Sequence, residues 1–196
     1  LTLPEGDTMA HVMPFDGEPG LFFYCHKIAC IRVSGSFTLG KLRYTFNPVS
    51  AFATQDWGRG IWPPKSNPYW GSASGVIDGK DFGFNIGYRY GNTQAATENV
   101  LFYAGKAHKL EDVVFHIPEN ETAWKKDWIF TSSDNRFEMQ MHPVLDRCSY
   151  APAGIQYGAQ QHQVFGYFSG RVVLDDGSEL PINNLFGFAE KVVNHW

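Results

Sequence analysis

The chain has 196 residues, a formal net charge of -4 and a pI near 6.0; charged residues make up 18% and aromatic residues 16%, alongside 20 glycines and 11 prolines. That length suits one domain with a sizeable core, and the aromatic, glycine-rich balance excludes a coiled coil, a collagen-like repeat and a disordered acidic tail. The mild acidity leaves no electrostatic footprint for nucleic acid, since the nearest approach to a basic run, Lys106, His108 and Lys109, is followed at once by Glu111 and Asp112.

The chain starts at Leu1 and reads as a fragment or a processed chain, with no basic and apolar leader in view. Residues 1–20, punctuated by proline and glycine, read as a lead-in outside the core, and residues 21–196 as a single β-barrel domain. No apolar run approaches the ~20 residues of a membrane helix, so no membrane span is expected. Cys25, Cys30 and Cys148 are an odd set without a disulfide framework. They are expected to be reduced, which points to a cytoplasmic protein. Cys25 and Cys30, five apart, would face opposite ways on one strand.

The densest segment follows: Asp56-Trp57-Gly58-Arg59-Gly60-Ile61-Trp62-Pro63-Pro64, then Tyr69-Trp70-Gly71-Ser72-Ala73-Ser74-Gly75. Asp56 and Arg59 are close enough in sequence to form a charge-assisted pair, either an acid/base group with an anion clamp in an aromatic pocket or an architectural ion pair. The tryptophan-bearing stretch around residue 60 is expected to be a loop sealing the barrel. Gly71, Gly75, Gly79, Gly83, Gly87 and Gly91 recur every fourth residue. On strands this spacing keeps glycines on one face, where they relieve crowding against rings, curve a wall or make room for a ligand.

From Phe82 to Tyr90 bulky residues alternate with small or polar ones, the period of a half-buried strand. The pattern returns at Val113, Phe115 and Ile117, at Phe137, Met139 and Met141, and in Gln163–Leu174. Asp78-Gly79 and Asp176-Gly177 suit tight hairpins. Residues 143–162, with Pro143, Pro152 and Gly154, read as a long irregular loop. Leu185, Phe188, Ala189, Val192 and Val193 carry helical spacing and predict a short C-terminal helix. Regularly spaced strands with turn chemistry between them predict an all-β antiparallel sandwich or barrel.

Among titratable residues, Glu98 stands just before the apolar run Val100–Tyr103, where burial would fit it for general-base work. His108 and Glu190 have bland readings, a surface histidine and a solvated helix face. No nucleophile elbow, zinc spacing, P-loop or dinucleotide fingerprint occurs, so no metal or other cofactor is expected.

The Asp56–Pro63 and Trp70–Gly75 segments, together with Phe84-Asn85-Ile86-Gly87, Thr97-Glu98-Asn99, Gly105–Leu110, Phe165–Gly170, Leu185–Glu190 and the final Trp196, resemble the domain-of-unknown-function 2804 family over most of residues 20–196. The resemblance implies that the chain is the C-terminal part of a longer protein with a further β domain upstream as its partner. More distantly the layout is similar to lipocalin-like carotenoid hydratases and cyclases, which implies a calycin-type antiparallel barrel.

Three functional expectations follow. The first is a lipocalin-like domain binding a small, largely apolar molecule, with Trp57, Trp62, Trp70, Tyr88, Phe168 and His108 as ligand-binding candidates. The second is an acid/base enzyme of hydratase, isomerase or cyclase type, with Asp56 or Glu98 moving the proton and Arg59 steadying charge. The third is a carbohydrate-binding or -processing β-sandwich. An aromatic surface that merely docks onto a missing portion is the architectural alternative.

Overall fold

The computed structural model of the chain describes residues 2–17, 20–118, 123–153 and 157–195. Gly154 and Trp196, named above, lie outside the described residues. Strands β1 (Met9–Pro14), β2 (Phe22–Arg32) and β5 (Phe52–Ile61) form a three-stranded sheet, and β3 (Gly35–Leu39) with β4 (Leu42–Phe46) a separate hairpin. The remaining strands are β6 (Lys65–Ser66), β7 (Tyr69–Ile77), β8 (Lys80–Tyr88), β9 (Val100–Tyr103), β10 (Lys106–Lys109), β11 (Val113–His116), β12 (Trp128–Ser132), β13 (Phe137–Ala153), β14 (Tyr157–Val173) and β15 (Glu179–His195). They make one ten-stranded antiparallel sheet in the order β10-β9-β8-β7-β15-β14-β13-β12-β11, with β6 added to β15. This sheet curls into an antiparallel half-barrel.

Two-residue alternation decides what each face buries. On the concave face, Phe82, Phe84 and Ile86 of β8 meet Phe130, Phe137, Met141, Phe168 and Val172 from the other limb. Phe84 packs edge-on against Phe137 and Phe168, each at 5.1 Å between ring centroids, the geometry that the ring quadrupole favours. Small residues make the curl possible: Gly71, Ala73 and Gly75 of β7 stand directly opposite Ile86, Phe84 and Phe82. The Asp78-Gly79 hairpin is as expected, both residues having positive φ (49° and 74°), which matches the twist of the flanking strands.

The convex face is covered as well. Phe23, Cys25, Ala29 and Cys30 of β2, with Met9 and Met13 of β1, pack on Val100 and Phe102 of β9 as a second core. The lead-in therefore contains a strand, and its two methionines are core residues. Cys25 and Cys30 are both buried, because β2 changes register between Ile28 and Ile31 and Cys30 has a φ of 59°. The bulge resets the alternation and turns both sulfurs inward.

Three further sequence readings are corrected. The C-terminal helix is not present: Leu185–Val193 belongs to β15. Both faces of that strand carry apolar side chains at this point, Phe188 against Trp70 outside and the buried Ala189 inside, and a strand apolar on both sides mimics helical spacing. Residues 143–162 are no loop but the distal halves of β13 and β14, paired from Leu145↔Phe165 to Ala153↔Tyr157. Pro143 sits at a register shift, and β13 has lost its β12 neighbour beyond Met141, so proline removes no ladder bond there. The tryptophan stretch around residue 60 is not a sealing loop; it is the second half of β5 and its continuation, with Trp57, Ile61 and Trp62 exposed.

Phe84 is fully enclosed by rings, so Phe84→Ala should lower stability by about 3–5 kcal/mol in denaturant unfolding. Leu39→Ala on the exposed hairpin should stay within about 0.5 kcal/mol.

Candidate functional site

Where the three-stranded sheet crosses the convex face, polar side chains converge between the two layers. Phe23, Cys25 and Lys27 share the inward side of β2, and the lysine, 4% exposed, ends that stripe with its ammonium 2.7 Å from Asp56 Oδ1 and 3.5 Å from Glu98 Oε2. The ammonium also lies 4.1 Å over the Trp70 ring, an added cation–π attraction in a partly dry site. Burial works against the charged lysine, yet the carboxylates of Glu98 and Asp56 outweigh it and hold its pKa above the usual lysine value.

Glu98 is locked by its neighbours. Asn85 Nδ2 donates to its backbone oxygen at 2.9 Å and to its Oε2 at 3.1 Å, while Asn85 Oδ1 accepts from Trp70 Nε1 at 2.7 Å. This fixes Trp70, Asn85 and Glu98 as one network across β7, β8 and the start of β9. The network needs a bare backbone beneath it: a Cβ at Gly87 would lie 2.4 Å from Glu98 Oε1 and 2.6 Å from its Cγ. Of the four-residue glycine series, this one supplies space for a charged group.

On the adjoining β15, Glu190 pairs across from Trp70 and its Oε2 accepts from Gln161 at 2.7 Å and Gln163 at 3.0 Å, both on β14. Burial raises its pKa, against the lowering effect of those two hydrogen bonds. A carboxyl so placed keeps its proton into a pH range where ordinary glutamates have lost theirs. Phe23, Lys27, Asp56, Tyr69, Trp70, Tyr90, Glu98 and Glu190 line a cleft of about 190 Å³. Trp70 also walls a second cleft of about 430 Å³, whose lining includes Phe52, Phe165, Phe186 and Phe188, with Ser50, Thr54, Ser72 and Ser74 as its hydroxyl residues. Trp70 is thus the partition between an aromatic cleft and a charged one.

Of the residues singled out from sequence, Asp56, Glu98 and Trp70 come together here. Asp56 bonds Lys27, not Arg59: the two lie three apart on β5, so they leave the strand on opposite sides, and Arg59 is exposed. Trp57 stands on the same outer side, edge-on to Tyr24, and Trp62 leans on Phe23 with 38% exposure. Tyr88 stacks on Phe115 on the concave face and Phe168 is wholly inside the concave core. His108 is remote, its Nδ1 accepting the Asp175 backbone N–H at 3.2 Å. Lys27, Asn85 and Glu190 complete the site. Lys27 was signalled by a lone cation inside the mostly apolar run Phe22–Ile31, and Glu190 by its place in the alternation Phe186, Phe188, Glu190, Val192 once that stretch is taken as a strand.

The chain belongs to the family described as a domain of unknown function, DUF2804, which matches residues 1–196. No curated protein matches it by sequence. Among solved structures it is similar to kievitone hydratase from Nectria haematococca, with 12% identity and a TM-score of 0.50 over 96% of this chain and 61% of that one. A second is CghA with Sch210972, at 9% identity and a TM-score of 0.43 over 98% of this chain and 62% of that one. At such identities the likeness is one of fold. The chain spans about three fifths of the length of each, 61% and 62%.

Lys27→Met should cost about 3–5 kcal/mol, since it leaves the buried Glu98 carboxylate without its cation. For Glu190 the folded-state pKa is raised, so its contribution to stability is fullest below the unfolded glutamate value and is lost as pH rises through the folded one. The difference in unfolding free energy between wild type and Glu190→Gln should fall across that window, read by denaturant titration at stepped pH.

Proposed function

We propose that the protein binds a small, largely apolar molecule in the aromatic cleft and carries out acid/base chemistry at the end of that molecule that passes Trp70. The observation that carries this reading is the shared wall: one indole borders both an aromatic cleft and a cluster of ionisable groups. Rings supply affinity for an apolar body, and a few placed polar groups supply orientation, the usual division in small-molecule sites.

The charged end holds what an addition or removal of water needs. Glu190, whose pKa burial raises, serves as the acid that protonates an alkene carbon or a departing hydroxyl. Asp56, half-exposed at the cleft, takes the proton from the incoming water. Lys27 pairs with Asp56 and Glu98 and steadies charge as the proton moves. Glu98 holds Lys27 and Asn85 in place. The fold neighbour is named a hydratase, a reaction of this proton economy, which supports choosing hydration or its reverse within the acid/base class. Arg59 has no part, since it faces away from both clefts.

A panel of fatty acids, isoprenoids and polyketides tests the reading. At least one class should quench tryptophan fluorescence and raise the melting temperature, and Trp70→Ala should weaken its binding at least tenfold. With a bound unsaturated ligand, oxygen from ¹⁸O-labelled water should enter the product. Glu190→Gln should slow that by about 10²-fold or more while binding persists. No response from any class would end the binding reading. Binding without label incorporation would leave a carrier and end the enzymatic one.

A further inference from the structure

The distal part of the β13–β14 hairpin carries a second cluster, separate from the clefts. Asp146 and Cys148 are two apart on β13 and so share a face, and His162 of β14 pairs directly across from Cys148. Val164, two residues on from His162, is fully buried, which places this face on the concave side. Glu190 and its two glutamine partners occupy the alternate residues and face the other way.

His162 Nδ1 lies 2.9 Å from Asp146 Oδ2, and His162 Nε2 lies 3.7 Å from Cys148 Sγ. A carboxylate can only accept, so Nδ1 carries the proton of that bond and Nε2 presents its lone pair to the thiol. Trp124, in the 3₁₀ turn Ala123–Lys125, stacks on the imidazole at 3.8 Å with planes 6° apart. The ring is thus held edgewise by a carboxylate and facewise by an indole. Asp146 is mostly enclosed, and its Oδ1 is buried with no hydrogen-bond partner, so the imidazole is its one polar engagement among the described residues. Across from His162 on the other side stands Lys191 of β15, whose ammonium lies over the Tyr69 ring.

We propose that Cys148, His162 and Asp146 form a nucleophile, a base and a positioning carboxylate, and that Cys148 adds covalently to α,β-unsaturated carbonyl compounds. A nucleophile next to a base, with the base aimed by a third group, is the arrangement that activates side chains in covalent catalysis. The step balances without a further reagent. Sγ bonds the β-carbon as its proton passes to Nε2; the π pair of the alkene moves to the carbonyl as an enolate; the α-carbon then takes the proton back from Nε2. Thiolates are soft nucleophiles, and conjugate addition uses one proton shuttle and no second base. A metal centre does not fit, because Asp146 and Cys148 approach opposite nitrogens of the ring and no single ion reaches all three.

A contrast within the protein sharpens the point. Cys25 also lies beside a histidine, 3.4 Å from His11 Nδ1, yet it is fully buried and burial pushes its pKa up to about 12. Cys148 is exposed, so a reagent can reach it.

The test uses the full chain with limiting N-ethylmaleimide, the labelled peptide mapped by mass spectrometry and the rate followed from pH 5 to 8, with glutathione as the unassisted thiol. Cys148 should be alkylated at least tenfold faster than glutathione at pH 6.5, with Cys25 and Cys30 unlabelled in the native state. Its rate should vary only weakly across pH 5 to 8, whereas an unassisted thiol gains about tenfold per pH unit below ~8.5. His162→Gln should lower the rate at least tenfold, and Asp146→Asn should lower it and displace the pH profile. A Cys148 rate equal to that of glutathione, rising tenfold per unit, would overturn the proposal, and this wild-type profile decides even if both variants fail to fold. Folded variants that label at the wild-type rate would overturn it equally.

Discussion

The Lys27 ammonium, enclosed between two sheets, is the interaction on which the convex half of the molecule depends. Taking such an ion out of water costs several kcal/mol even after the protein relaxes, and the cost is offset only because each layer brings something to it. Asp56 comes from the covering sheet, whereas Glu98 and Trp70 come from the half-barrel. The lysine therefore specifies how the covering sheet sits, because a shift would leave one carboxylate stranded. Beneath it, Asn85 ties the indole to Glu98, and the bare Gly87 backbone lets that carboxylate come close. The same contacts that position the layers also border the two clefts.

The half-barrel itself was largely legible. From Phe82 to Met141 the two-residue alternation is plain, and Asp78-Gly79 announces its hairpin, because a sheet with one well-formed core face writes its period into the sequence. The glycine series was legible as a relief of crowding, and apart from the turn residue Gly79 its members do make room for a neighbour. What blurred the pattern was coverage on both sides. Around Leu185–Val193 the inner and outer faces are both apolar, so the strand lost its alternation and took on the spacing of a helix. Pro143 and Pro152 had a similar effect on β13 for a different reason: they lie where the strand has outrun its β12 neighbour and no ladder bond is needed.

The sites were legible to the extent that their residues were neighbours in sequence. Asp56, Trp70 and Glu98 could be marked because each stands in a dense local pattern. Their common partner, Lys27, sits inside an apolar run where a lone cation gives no hint of two distant carboxylates. Glu190 was hidden by the mistaken helix, since on a helix it faces water and on a strand it faces the clefts. Cys148 and His162 are 14 residues apart and meet only because the intervening chain is a hairpin. Arg59 shows the opposite failure: proximity in sequence suggested a partner that an extended backbone places on the other side.

Strands β14 and β15 serve two environments with successive residues. Gln161, Gln163 and Glu190 look outward, while His162 and Lys191 look inward. Because side chains alternate strictly, deleting a single residue within β15 would turn the glutamate toward the barrel interior, and deleting one within β14 would turn the imidazole toward the covering sheet. These strands are therefore intolerant of length change, and homologous chains should keep their spacing there.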